Sequence, residues 1–540
     1  MVQLSTEPNN MLNEIFIILV LLSHFIYTAR LLKKELHTLQ LNSYFNGRYF
    51  QWLRAKWTLV FPEYNLLPLF AIPLSLLLPK FSVLLYLFAA YLIVLFKKRE
   101  QVQEKKPLVF TSRAIRLYVT SILFLAFIDV MLWFLFGFTA RIYLFLSVIV
   151  LATLSYFSCL LLFFSNYFLA PLEKVIIFYY FNNAKKRLQW LHNLKVIGIT
   201  GSFGKTSTKH ILNEILRHKY NVLALPGSFN TPMGIAKIVR TELKPTHEIF
   251  VAELSAKKSG DIRELCELVR PQFGVITAIG EQHLETFKSL ENIKQTKNEL
   301  IEALPEDGTA FFNMDNEYCR NLAQLTKKKS IYYGIDADNL NYRASAIQVN
   351  AEGSSFVVMK SSGETATFQT KLLGRHNVYN ILAAVVVASE LGMDFKDMLY
   401  PIRQLSPVEH RLELRKIGPG ATLLDDTFNS NPIGSKMALE VLASIAGARK
   451  IIITPGMVEL GEKEYELNSK FGEYIADVCD YVILVGKKQS IAIAEGLKIK
   501  HFPEQSCFIA QDFQDAYRHL LGFLQKDDVV LFENDLPVDN

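Results

Sequence analysis

Eleven residues, Gly198-Ile-Thr-Gly-Ser-Phe-Gly-Lys-Thr-Ser-Thr208, carry the clearest chemistry in the chain. Glycines at 201 and 204 let backbone N–H groups approach an anion, and a helix N-terminus beyond them adds partial positive charge. Gly201, Ser202, Gly204, Lys205, Thr206 and Ser207 therefore form a candidate phosphate cradle. Lys205 is placed to reach β- and γ-phosphates, and the Thr206 hydroxyl to ligate magnesium. The match is to G-x-x-G-K-T; the longer G-x-x-x-x-G-K-T fails, because position 199 is Ile. The chemistry indicated is nucleotide binding, the alternative being a glycine turn with a solvated lysine. Two further stretches end in polar groups. Phe250-Val-Ala-Glu253 reads as a buried strand closing on a carboxylate, which either holds magnesium or is a surface Glu. Val275–Thr277 reads as a strand and His283 follows its end, where α/β sheets place ligands.

Positioning the cradle requires a strand before it and a helix after it. Leu194–Ile199 is a continuous apolar run, and Ile211, Leu212, Ile215 and Leu216 share one face of a helix over 207–219. Strands and helices then alternate, with strands at Phe250–Glu253, Val275–Thr277 and Ala310–Asn313. This is the α/β pattern of a mostly parallel sheet. Short alternating strands follow over 347–370, then a helical run at Asn377–Leu391. After Arg411 a second α/β unit begins, with strands near Ala421–Leu424, Lys450–Thr454, Tyr481–Val485 and Val529–Phe532.

The first 185 residues differ in kind. The mean hydropathy of +0.19 is high for a chain of 540 residues, and the apolar excess lies before residue 166. Segment 11–30 is long enough to span a bilayer, which needs about 20 residues. No basic residue precedes it and no small-residue cleavage site follows, so it does not read as a signal peptide. Leu66–Phe96 is broken by Pro73, Pro79 and Lys80 and reads as a tight hairpin; Ile115–Phe138 and Ile142–Phe168 read as further spans, about five in all. Asp129 lies inside one of them, either as a functional group or facing a neighbouring helix. Lys33, Lys34, Arg48, Arg54 and Lys56 follow the first span. Lys97, Lys98, Arg99, Lys105, Lys106, Arg113 and Arg116 gather near 97–116, while the opposite sides offer Lys80 and Arg141. The positive-inside rule puts these loops and everything after 168 in the cytoplasm. Segment 172–191 reads as an amphipathic, basic connector. Five scattered cysteines without C-x-x-C spacing exclude a zinc ribbon or disulfide framework. A net charge of +6, concentrated beside apolar spans, points to membrane surface and not to nucleic acid.

Taken in order, G-S-F-G-K-T, E-L-S, T-A-I-G-E-Q-H-L-E, T-K-N-E, G-R-H-N-V-Y-N, E-H-R-L-E and D-D-T-F-N-S-N-P resemble the Mur ligase family, the ATP-dependent amide-forming ligases of cell-wall synthesis. The D-D-T-F-N-S-N-P run and Glu459-Leu-Gly461 resemble its D-alanyl-D-alanine-adding branch. The resemblance covers roughly 195–535. It implies a P-loop central ATP-binding domain at 186–405 and a Rossmann-like C-terminal domain at 406–540, after the membrane-spanning helical region that hydropathy places at 1–185. It also implies ATP and magnesium as ligands. Lys205 and Thr206 would bind phosphates and one magnesium; Glu253 and His283 would hold a second. Lys297 matches the family's carbamylated lysine, or is a helix-surface lysine. Asn377, Arg411 and Asp426 would contact the nucleotide, with Asn429 and Asn431 shaping the last loop.

The implied partners are ATP, a cell-envelope precursor and an amino acid or dipeptide, at the membrane and without nucleic acid. A poly-γ-glutamate synthase-like ligase and an ATP-driven membrane transporter are the alternatives; no L-S-G-G-Q run supports the transporter. Three departures bear on substrate. Membrane spans stand where the family has its UDP-sugar-binding domain, Ser255-Ala256 replaces a usual Gly-Ala, and the chain closes on Leu531-Phe-Glu-Asn-Asp-Leu-Pro537.

Overall fold

In a computed structural model of the chain, the residues described are 8–42, 44–55, 63–97, 107–138, 140–227, 229–282, 284–350, 352–408, 410–427, 431–486 and 488–534. His283, Asn429, Lys56, Lys98, Arg99, Lys105, Lys106 and the segment 535–537 lie outside them. The chain divides into two compact units, Met1–Ile177 and Phe178–Asn540.

The first unit is helical. Among the described residues, three helices are long and apolar enough to cross a membrane by length and composition: Leu12–Leu41, Ser112–Gly137 and Ser158–Trp190, the last ending in the second unit. Shorter apolar segments occupy Glu63–Leu77, Lys80–Phe96 and Arg141–Tyr156. The expected hairpin is present, with its turn at Leu78 and Pro79. The single span expected over 142–168 is not. The helix breaks at Phe157, whose ψ of 40° leaves the helical range. Thr153 Oγ1 donates to the Ile149 carbonyl at 2.6 Å and Ser155 Oγ to that of Ala152 at 3.0 Å, and such back-bonding competes with the backbone ladder. The connector expected at 172–191 is the end of the Ser158–Trp190 helix, which passes through Pro171. Asp129 is buried and faces His24, whose Nδ1 lies 2.9 Å from Asp129 Oδ1.

The second unit contains two sheets. The larger has nine strands in the order β2-β3-β1-β4-β5-β6-β7-β8-β9. These strands are β1 (Lys195–Thr200), β2 (Val222–Ala224), β3 (Ile249–Glu253), β4 (Phe273–Ile276), β5 (Thr309–Asn313), β6 (Lys329–Gly334), β7 (Tyr342–Asn350), β8 (Gly353–Lys360) and β9 (Thr365–Thr370). Pairing is parallel from β2 to β7 and antiparallel across β7, β8 and β9. Central strands carry apolar side chains on both faces, as a sheet covered on both sides requires. Ile197, Ile199 and Val251 pack with the Lys205–Leu216 and Arg375–Glu390 helices. Val196, Phe250 and Ala252 face the other way, against the Pro232–Thr241, Asp261–Val269 and Leu290–Glu302 helices. β2 and β6 were not legible: β2 has three residues, and Ser330 interrupts the apolar run of β6.

The smaller sheet runs β10-β11-β15-β12-β13-β14, from β10 (Glu413–Ile417), β11 (Ala421–Asp426), β12 (Lys450–Thr454), β13 (Tyr481–Val485), β14 (Cys507–Ala510) and β15 (Val529–Glu533). Only β10 is antiparallel to its neighbour. Leu424, Ile452, Leu484 and Leu531 meet the Pro432–Ser444 and Glu464–Ala476 helices on one face; Ile451, Ile453, Ile483 and Val530 meet Ala516 and Leu520 on the other. The two sheets touch through Lys463 Nζ, 2.6 Å from Glu281 Oε1, and through the Glu285 N–H, which donates to the Glu459 carbonyl at 3.3 Å.

Candidate active site

The cradle sits between β1 and the Lys205–Leu216 helix, as its sequence requires. Gly204 precedes the helix with a φ of 81°, which L-residues avoid. Gly201 is held by close approach: a Cβ there would lie 2.1 Å from Thr277 Oγ1. Thr277 Oγ1 donates to the Phe203 carbonyl at 2.5 Å, and the Ser202 N–H to the Ala278 carbonyl at 2.7 Å. Ser202 is buried and its Oγ bonds the Gly280 carbonyl at 2.9 Å, so its hydroxyl pins the loop to the segment after β4.

Lys205 Nζ donates to the Gly201 carbonyl at 2.7 Å and the Ser202 carbonyl at 3.1 Å. Burial lowers its pKa to about 8, Glu253 opposing and Arg411 reinforcing the shift. Thr206 Oγ1 donates to Glu253 Oε1 at 3.2 Å. Glu253 closes β3, is 2% exposed, and so is not a surface carboxylate. Parallel pairing of β1 with β3, Ile199 opposite Glu253, brings it beside the cradle. Its Oε2 lies 3.2 Å from Lys209 Nζ, an ion pair without hydrogen-bond geometry, and accepts no hydrogen bond among the described residues.

Lys297 is 3% exposed on the Leu290–Glu302 helix, which excludes the helix-surface reading. Burial, and next the nearby Lys205 charge, lower its pKa to about 7; Glu299, Asp261 and Glu253 oppose this.

A cavity of about 270 Å³ adjoins the cradle. Gly204, Ser207 and Asn377 line it from the first sheet's side, and Arg411, Asp426 and Asn431 from the second. Asn377 is nearly buried and its Nδ2 donates to the Leu373 carbonyl at 2.8 Å, so its amide nitrogen is engaged by backbone. Burial lowers the pKa of Arg411, countered by Asp426 and Glu253. Burial raises that of Asp426 to about 7, against the pull of Arg411. Asn431 caps the Pro432–Ser444 helix, its Oδ1 accepting from the Gly434 N–H at 3.0 Å.

Sequence reasoning missed several residues of this site. Lys209 is 4% exposed and lies four residues after Lys205, the interval that puts two side chains on one helical face. Asn230 reaches Ser255 Oγ at 3.0 Å and Glu253 Oε1 at 3.5 Å. His376 lines the cavity, and burial lowers its pKa to about 4, so it is neutral there. Asp315, also lining it, accepts from the N–H groups of Ile335 at 2.5 Å and Ala337 at 2.6 Å, and from the Tyr379 hydroxyl at 2.8 Å. The cationic side chains Lys205, Lys209 and Arg411 outnumber the carboxylates Glu253 and Asp426, which suits a polyanion. Among the described residues no three His, Cys, Asp or Glu side chains converge on one point.

Residues 199–388 match the Mur ligase middle domain and residues 410–533 the Mur ligase, glutamate ligase domain. Over 352 residues the chain is 32% identical to the UDP-N-acetylmuramoyl-tripeptide–D-alanyl-D-alanine ligase of Bacillus subtilis, covering 65% of this chain and 75% of that protein. The Escherichia coli ligase of the same name is 30% identical over 320 residues, or 59% of this chain and 70% of the other. Among solved structures, a Thermotoga maritima MurF ligase in complex with ADP aligns at a TM-score of 0.59 and 25% identity, covering 66% of this chain and 80% of that one. MurF from Acinetobacter baumannii shares the fold at a TM-score of 0.61 and 24% identity, over 66% and 78% of the two chains.

Proposed function

The chain belongs to the Mur ligase family of ATP-dependent, carbon–nitrogen bond-forming ligases, and from that premise we propose that it adds a D-alanyl-D-alanine-type amine to a peptidoglycan precursor at the cytoplasmic face of a membrane. The observation that carries this reading is one arrangement. Lys205, Thr206 and Glu253 converge at the ends of β1 and β3, beside a cavity that Arg411 and Asp426 complete from the second sheet.

The chemistry needed is activation of a carboxylate. An acceptor carboxylate oxygen attacks the γ-phosphorus of ATP, the bond to the β-phosphate oxygen breaks, and ADP leaves. The amine then attacks the acyl carbon of the acyl phosphate, inorganic phosphate departs, and the nitrogen loses a proton. Both steps crowd anions, so alignment and positive charge do most of the work. Lys205 and Arg411 supply charge at the phosphates, and Thr206 orients the loop toward Glu253. The buried Glu253 Oε2, which accepts no hydrogen bond among the described residues, and a cradle too tight for a side chain at 201 suit magnesium and phosphate. Thr206 would hold one magnesium ion, and Glu253, His283 and a carbamylated Lys297 a second; when bound, such ions offset charge between phosphates and carboxylate. A lysine whose pKa lies near 7 keeps the neutral amine that carbon dioxide requires.

Membrane attachment is supported by exposure. Ile115, Val119, Leu123, Phe127, Val130 and Phe134 are all exposed and recur at three- and four-residue intervals along the Ser112–Gly137 helix. At 1.5 Å per residue the stripe is about 29 Å long, close to a bilayer's hydrocarbon thickness. Leu12, Ile15, Ile18, Leu22 and Ile26 form a second such stripe. Anchoring raises the effective concentration of a substrate carried in the same membrane, so the preferred acceptor is lipid-linked. The test compares a lipid-linked tripeptide precursor with its UDP-linked counterpart, using full-length protein in vesicles with ATP and D-alanyl-D-alanine. A higher kcat/KM for the lipid-linked form is expected; equal or better use of the soluble form would overturn the lipid assignment.

A further inference from the structure

Lys209 has no part in the reaction as derived so far, yet it is an almost fully buried lysine next to the site's central carboxylate. Its Nζ lies 3.2 Å from Glu253 Oε2 and also donates to the Gly227 carbonyl. Gly227, with a φ of 49°, turns the chain into the segment that presents Asn230. From there Asn230 Nδ2 reaches Ser255 Oγ at 3.0 Å and Glu253 Oε1 at 3.5 Å. One ammonium thus ties the P-loop helix to the strand-end carboxylate and to the segment that comes back to that carboxylate's other oxygen. Lys209 does not line the 270 Å³ cavity. It lines a separate space of about 210 Å³ with Thr206, His210, Asn213, Pro226 and Gly227. A buried ammonium is costly unless paired and hydrogen-bonded, and an apolar side chain would fill the same volume without that cost. A lysine buried here points to a task for its charge.

We propose that Lys209 is a positioning residue: it holds Glu253, Gly227 and Asn230 in register on the acceptor side of the phosphate site, and acts as the counter-ion of Glu253 that a divalent cation must displace. The inference rests on the ligase reading above. It yields two effects that a purely structural staple would not produce together. In Lys209→Met, which keeps the stem and removes the charge, the KM for acceptor rises at least tenfold, while equilibrium affinity for an ATP analogue stays within threefold. Mn2+ alone, titrated into nucleotide-free protein and followed by its paramagnetic resonance signal, binds several-fold more tightly to Lys209→Met, because no ammonium competes for Glu253 Oε2. Glu253→Gln in the same background removes that gain. Asn230→Ala approaches the same contact from the other side and must also raise the acceptor KM while sparing ATP, so a misfolded Lys209→Met does not end the test. Both effects are required. An unchanged acceptor KM, a parallel loss of ATP affinity, or unchanged Mn2+ binding overturns the proposal. If wild-type protein makes no amide, the ligase reading fails and the acceptor-side role of Lys209 with it, while the Mn2+ titration separately decides its role as counter-ion of Glu253.

Discussion

Lys297 shows how burial beside a second cation prepares a side chain for chemistry. Its pKa is lowered from 10.5 to about 7 by desolvation and by the neighbouring Lys205 charge. Only the neutral amine adds carbon dioxide. Below pH 7 the ammonium predominates and carbamate formation is progressively suppressed; above it the amine is mostly free. Activation of the enzyme by bicarbonate should therefore fade as pH falls through about 7. Lys297→Ala should be nearly inactive, insensitive to bicarbonate and partly restored by millimolar formate. Full activity of that variant in carbon-dioxide-free buffer would remove Lys297 from the site. At this scale the sequence was partly legible. Lys205, Thr206 and Glu253 come together because a motif and a strand end fix their places on adjacent parallel strands. Lys209 was invisible, because a lysine on a helix ordinarily reads as a solvated surface residue. Ser202 and Asn377 were assigned to the nucleotide, but Ser202 Oγ and Asn377 Nδ2 are spent on the carbonyls of Gly280 and Leu373.

Asn431 belongs to the scale of elements. Its side chain caps the Pro432–Ser444 helix, with Pro432 at the first helical position, where its missing N–H costs nothing. Asn431→Ala should lower unfolding stability by about 1 kcal/mol, measured by urea denaturation, and weaken ATP binding through the wall it helps form. A change in ATP affinity with no loss of stability would mean that Asn431 contacts the nucleotide and does not act as a cap. Buried strands such as β1, β3 and β12 were readable because covered strands are continuous apolar runs. β10 and β14 were not: each is a half-exposed edge strand whose polar residues blur the pattern. Phe157 was missed for a related reason, since side-chain back-bonding by Thr153 and Ser155 leaves no mark in hydropathy.

For the whole molecule, the sequence pattern separates an apolar, basic-looped segment from two α/β sheets, and the compact units Met1–Ile177 and Phe178–Asn540 are the physical expression of that contrast. The Lys and Arg asymmetry predicts that the second unit faces the cytoplasm. A reporter fused after residue 540 should be active only as a cytoplasmic fusion, and the protein should sediment with membranes through a carbonate wash. An extracytoplasmic reporter signal, or release by carbonate, would contradict the topology. The number of crossings was the least legible feature. Among the described residues three helices meet the length criterion, and the remaining apolar helices are shorter.

The most direct test of the central claim is the mass of the product. Full-length protein is incubated with ATP, a tripeptide precursor carrying a free carboxylate, and D-alanyl-D-alanine, and analysed by mass spectrometry alongside ADP release. The account predicts a product heavier by the dipeptide less one water, one ADP per amide, and no product from Lys205→Ala. ATP turnover without any new amide, or amide formation undiminished in Lys205→Ala, would contradict it.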